Sequence, residues 1–112
     1  MSDEFPIEVD VQTVKTLLDG DDTFLLLDVR QPEEYETAKI AGSVLIPMGE
    51  LGERIEELEP HRDDRIIVHC HHGGRSMQVT QALRSMGFPK VQNMGGGIEQ
   101  WSLEIDSEVP RY

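Results

Sequence analysis

The sequence predicts an α/β domain built on a parallel sheet. Strand-like and helix-like segments alternate five times along 112 residues, and the connections between them are short. Two of the strand-like segments, Phe24-Leu25-Leu26-Leu27 and Ile66-Ile67-Val68, are continuously apolar. A strand covered on both faces has that pattern, whereas a half-exposed strand alternates.

Taken in order, Ile7-Glu8-Val9 reads as a short strand. Asp10 then suits the N-cap of a helix over residues 11–18, whose Val11, Val14, Leu17 and Leu18 share one face. Asp19-Gly20-Asp21-Asp22 breaks that helix before the apolar strand that begins at Phe24. Pro32 belongs in the first turn of a helix carrying Glu33, Glu34, Tyr35 and Glu36. Val44-Leu45-Ile46 is the next strand, closed by Pro47, and an amphipathic helix over residues 51–58 follows, with Leu51, Ile55 and Leu58 on one side. After Ile66-Ile67-Val68 a helix is expected over residues 76–86, ended by Gly87. Val91 marks a last short strand, Gly95-Gly96-Gly97 opens a short helix holding Ile98 and Trp101, and residues 104–112 are expected to form a tail outside a core of residues 5–103. Trp101, Tyr35 and Phe24 read as core or half-core residues, and Met77, Met86 and Met94 as packing.

Hydrophobic residues make up 38% of the chain, enough for one core and too much for wholesale disorder. The formal net charge of −12 repels phosphate backbones and anionic lipid, which argues against nucleic-acid and membrane-surface roles. No apolar run approaches the ~18 residues of a membrane span. The acidic start, Met1-Ser2-Asp3-Glu4, lacks the apolar segment of a signal peptide. The expectation is a single cytoplasmic domain, a monomer or weak dimer. With one cysteine it can have no intrachain disulfide.

That cysteine lies in Val68-His69-Cys70-His71-His72-Gly73-Gly74-Arg75-Ser76. It directly follows a buried strand and precedes a helix, and ligand sites of open parallel sheets lie at the carboxyl ends of strands. Two glycines let the loop curl so that successive N–H groups from His71 to Ser76 point inward, and the helix N-terminus adds its own unpaired donors. A thiolate is stabilised in such a bowl, and the thiolate is the nucleophile. Cys70 is therefore the expected catalytic residue. His71, His72, Gly73, Gly74, Arg75 and Ser76 are the expected substrate-binding loop, with Arg75 closing the rim over the sulfur and the histidines adding partial positive charge. A metal site is not expected: neighbours on a tight loop converge poorly on one ion, and no second Cys or His cluster completes a tetrahedral set.

At this loop the sequence resembles the rhodanese family of sulfurtransferases, and the resemblance covers most of the chain. Three motifs occur in family order: Leu27-Asp28-Val29-Arg30-Gln31-Pro32-Glu33-Glu34-Tyr35 followed by Ile40-Ala41-Gly42-Ser43 and Ile46-Pro47, then the loop from Cys70 to Arg75, then Asn93-Met94-Gly95-Gly96-Gly97 with Trp101. The resemblance implies a rhodanese-like three-layer domain, a five-stranded parallel sheet with helices on both faces. It implies that Cys70 carries a persulfide and that Asp28 and Arg30 support the neighbouring loops. It also implies transfer of a sulfane sulfur from thiosulfate or a low-molecular-weight persulfide to cyanide, a thiol or a protein acceptor, without a metal or organic cofactor. Lys39 and Ala41 stand where the family has histidine and proline, and the loop lacks the lysine of thiosulfate-preferring members, so small dianionic donors are expected to bind weakly.

Two other classes fit parts of the pattern. One is a non-catalytic binding module, against which the presence of Cys70 argues, or in a subtler form a persulfide carrier that hands its sulfur to a protein, which the acidic surface and small size suit. The other is a small phosphatase or arsenate reductase. Tyrosine-phosphatase loops are one residue longer between cysteine and arginine, and the four residues here leave a bowl better sized for a terminal sulfur than for a phosphate.

Overall fold

The computed structural model describes residues 5–112. The acidic stretch at residues 1–4 lies outside them. The elements are β1 (Glu8–Val9), α1 (Val11–Asp19), β2 (Leu25–Asp28), α2 (Pro32–Thr37), β3 (Val44–Leu45), β4 (Ile66–His69), α3 (Gly74–Ser85), β5 (Val91–Met94) and α4 (Gly97–Glu104). The five strands form one sheet in the order β1-β5-β4-β2-β3, every pair parallel. The central register places Leu27 opposite Val68, and Val68 opposite Asn93.

Both faces of the sheet are covered, which is why β2 and β4 are apolar up to their last residues, Asp28 and His69. Leu27, Ile66, Val68 and Val91 pack on one side with Val79, Leu83 and Phe88, and Cys70 belongs to this cluster. Leu26, Ile67 and Met94 pack on the other with Val11 and Val14 of α1 and Ile98 and Trp101 of α4. Each fully buried Leu, Ile or Val contributes about 2 kcal/mol relative to an exposed one. The strands alternate in side-chain direction, so one run of sequence feeds both clusters.

The local signals act as read. The Asp10 carboxylate accepts the Thr13 N–H at 2.8 Å and caps α1. Pro32 occupies the first turn of α2, and the Gln31 N–H donates to Glu34 Oε1 at 2.9 Å. Gly87, at φ +96°, ends α3.

Three expectations need correction. The helix expected over residues 51–58 is a string of 3₁₀ turns at Met48–Glu50, Ile55–Glu57 and Glu59–His61. Its apolar stripe is real, since Leu58 is buried and Leu51 and Ile55 pack against the core. Gly52 weakens an α-helix there, and Pro60 removes a donor and crowds the carbonyl of Glu56. The helix expected from residue 76 starts at Gly74, because Gly73 takes φ +112° and turns the chain into the helix early. The segment expected to trail off as a tail folds back: Val109 is buried in the second cluster, and Tyr112 reaches the loop after β4. Among the described residues, no helix is long and apolar enough to cross a membrane.

Candidate active site

The loop that follows β4 wraps the Cys70 sulfur. Only 1% of Cys70 is exposed, so its charge has to be stabilised by the loop itself. The Gly73 N–H donates to Sγ at 3.1 Å, the Ser76 N–H at 3.4 Å, and the Ser76 hydroxyl lies 3.4 Å away. Burial pushes the thiol pKa up, but the hydrogen bonds from Ser76, Gly73 and His72 outweigh it and leave the thiol more acidic than an ordinary cysteine. Ser76 is itself held: its hydroxyl also meets the Gly73 carbonyl at 3.2 Å and the side-chain oxygen of Asn93. Asn93 is oriented in turn by its amide donating to Glu8 Oε2 at 2.8 Å. Ser76 has one proton for three acceptors, and a thiolate competes for it better than a thiol does.

The loop is clamped from a second side by α4. The Ile98 N–H donates to the Cys70 carbonyl at 2.9 Å, and the Glu99 N–H to the His71 carbonyl at 3.1 Å. Two helix N-termini, α3 and α4, thus converge on this loop.

Arg75 stands at the rim, but it does not lie free above the sulfur. Its Nη1 and Nη2 donate to the two oxygens of Glu34 at 2.8 and 3.0 Å. The Arg75 hydrogen bonds hold the Glu34 carboxyl down at about 2, with the Gln31 N–H and the Tyr112 hydroxyl adding to them. Asp28 and Arg30 are both fully buried beside this rim. Arg30 donates through Nε and Nη2 to the Asp28 carboxylate at 2.9 and 2.7 Å, and through Nη2 to the Ala38 carbonyl at 2.6 Å. Its Nη1 donates to the Tyr112 hydroxyl at 2.8 Å.

His71 is sandwiched between His72 and Tyr112, with ring centroids 4.1 and 4.0 Å away. Burial, and then the neighbouring His72, lower its pKa. His69 is fully buried with both ring nitrogens unpartnered, and burial depresses its pKa to about 4. The neutral ring makes its 3.9 Å approach to Asp28 a contact and not an ion pair. Nitrogens of His71 and His72 and an oxygen of Glu99 fall within 4.8 Å of one another. Glu99, however, is already bound by Arg111 at 2.7 Å.

The predicted loop residues are therefore together, and Asp28 and Arg30 lie next to them. Sequence reasoning missed Asn93 as the partner of Ser76, Glu34 as the partner of Arg75, and Tyr112. Asn93 left a trace as the first residue of the third motif and Glu34 as an acidic residue in the first turn of α2, and Tyr112 left none.

The chain matches the rhodanese-like domain family over residues 10–104. It is 39% identical over 95 residues to the "Putative sulfur carrier protein YrkF" of Bacillus subtilis, covering 85% of this chain and 50% of that protein. It is 39% identical over 70 residues to the thiosulfate sulfurtransferase PspE of Escherichia coli, covering 62% of this chain and 67% of that one. The chain thus spans only half the length of YrkF. Among solved structures, the human single-domain sulfurtransferase TSTD1 superposes with a TM-score of 0.77 at 28% identity, over 88% of this chain and 97% of that chain. With its five parallel strands, its helices on both faces and a match across nearly its whole length, this chain belongs to the rhodanese-like domain family.

Proposed function

We propose that this chain is a sulfurtransferase that carries a sulfane sulfur on Cys70. The observation that supports the reading best is the thiol inside a bowl of donors from Gly73 and Ser76 at the end of β4. The Cys70 thiolate attacks the outer sulfur of thiosulfate or of a persulfide; the S–S bond of the donor breaks, and sulfite or a thiolate leaves with the bonding pair. The loop N–H groups from His71 to Ser76 then hold the terminal sulfur as it takes on charge. An acceptor nucleophile, cyanide in an assay and a thiol or a protein in the cell, attacks that sulfur and returns the thiolate. No metal or organic cofactor enters this cycle. The name of YrkF, which is a sulfur carrier's, supports a protein acceptor.

The test is intact mass after the reduced protein meets thiosulfate or glutathione hydropersulfide, wild type beside Cys70→Ser. A gain of one sulfur in wild type only, erased by cyanide with release of thiocyanate, is expected. Silence with both donors overturns the reading in favour of a binding module.

A further inference from the structure

We propose that Glu34, fixed in place by Tyr112, sets donor choice by withholding Arg75 from an incoming dianion, so that the site is tuned to thiol hydropersulfides over thiosulfate. The inference rests on the persulfide reading above and goes further, naming the residues that select the donor.

Arg75 is the only permanently charged side chain between Cys70 and Ser76. A guanidinium fork that grips a carboxylate in a bidentate pair is the same fork that would grip a sulfonate, so a sulfonate has to displace Glu34 to use it. Glu34 is not free to leave. The Gln31 N–H holds its Oε1 at 2.9 Å, and the Tyr112 hydroxyl holds its Oε2 at 2.9 Å. Tyr112 is itself fixed by the Arg30 Nη1 donor and by stacking on His71.

Among the described residues, two other cations near the mouth are already engaged. Arg30 is buried and committed to Asp28, and Arg111, across His71, is committed to Glu99. The ion pairs around the mouth cancel, within a chain of net charge −12.

The two donor reactions differ in charge. With thiosulfate, CysS⁻ + SSO₃²⁻ gives CysSS⁻ + SO₃²⁻, so three negative charges share the mouth at the transition state. With a hydropersulfide, CysS⁻ + RS–SH gives CysS–SH + RS⁻; the proton stays on the transferred sulfur and only one negative charge is present. A mouth whose charges cancel accepts the second reaction and resists the first.

The test is the second-order rate constant for loading Cys70, read by rapid-quench intact mass with thiosulfate and with cysteine hydropersulfide. Glu34→Gln keeps the oxygen that accepts the Gln31 N–H and removes the charge. It is expected to raise the thiosulfate-to-hydropersulfide ratio about tenfold, an effect that shrinks with added salt. Glu34→Asp, which keeps the charge, stays near the wild-type ratio, and Tyr112→Phe moves it in the same direction as Glu34→Gln by less. Adding Arg75→Leu to Glu34→Gln erases the gain. An unchanged ratio in Glu34→Gln, or a gain that survives Arg75→Leu, overturns the proposal while leaving the persulfide reading intact. Failure of both donors to load wild type overturns the persulfide reading, and this proposal with it.

Discussion

Gly97 is pressed against the backbone of Cys70. A Cβ on Gly97 would stand 2.5 Å from the Cys70 carbonyl oxygen and closer still to that of His71, and its own φ of +61° is one that side chains rarely adopt. The glycine lets the first turn of α4 come close enough for Ile98 and Glu99 to donate to those two carbonyls. Gly97→Ala must push the loop away or unwind the turn. The expected outcome is a loss of about 2–4 kcal/mol in stability and a loading rate at Cys70 reduced by more than about tenfold. Chemical denaturation and the sulfur-loading assay check the two parts separately. A variant with wild-type loading would show that the clamp by α4 does not position the thiol.

Ser76 is the largest of the influences that make the Cys70 thiol more acidic. Ser76→Ala removes the hydroxyl and leaves the Ser76 and Gly73 N–H donors in place, so the thiol pKa rises. The rate of alkylation by iodoacetamide against pH should keep its shape and move its midpoint to higher pH. Asn93 also loses a donor to its buried side-chain oxygen, at a cost of about 1–2 kcal/mol in stability. An unmoved midpoint would assign the acidity to the backbone donors alone.

His69 makes the fold sensitive to mild acid. Its pKa is about 4 in the native state because burial opposes the charge, against an ordinary 6.5. Between those values the unfolded chain takes up a proton that the native chain refuses, so stability falls as pH drops through 6.5 and the loss levels off near 4. From about pH 7 to about pH 5 the loss is about 2 kcal/mol. Glu34 loses its stabilising pairing in the same direction but at lower pH, as its carboxyl titrates between 4.5 and about 2. Denaturant midpoints at about pH 7 and about pH 5 set the histidines apart from Glu34, and because His71, also lowered, contributes in the same direction, His69→Leu should remove the larger part of the difference but not all of it. Equal pH dependence in the variant would place the sensitivity elsewhere.

What could be read in the sequence was what short-range physics determines. Asp10 caps the helix that follows it, Pro32 starts another, and unbroken apolar runs mark strands covered on both faces. The bowl around Cys70 also lies within seven consecutive residues, so its spacing was visible. The partners that make the bowl work were not, because they come from far along the chain: Asn93 meets Ser76 from β5, Gly97 meets Cys70 from α4, and Glu34 meets Arg75 across 41 positions. The apolar spacing of Leu51, Ile55 and Leu58 was a true burial signal in the wrong geometry, since Pro60 and Gly52 favour 3₁₀ turns over an α-helix. Residues 105–112 carry little apolar material apart from Ile105 and Val109, and nothing local reveals that Tyr112 meets two charged partners, Arg30 and Glu34.

Val109 anchors the returning C-terminal segment. It is buried in the second core cluster, beside Trp101 and Ala38, and the Val109 N–H donates to the Asp106 carbonyl at 3.1 Å. Beyond it the segment is tied by Arg111 to Glu99 and by Tyr112 to Arg30 and Glu34. A solvent-screened ion pair such as Arg111 with Glu99 adds little to stability, so the buried valine is the main fixed point before the tyrosine. Val109→Ala removes two methyl groups from the cluster and should cost about 1–2 kcal/mol locally. The segment then opens more often, and limited proteolysis at Arg111 should quicken by about tenfold while the global denaturation midpoint shifts little. Cleavage at an unchanged rate would mean that Tyr112, and not Val109, holds the segment against the loop.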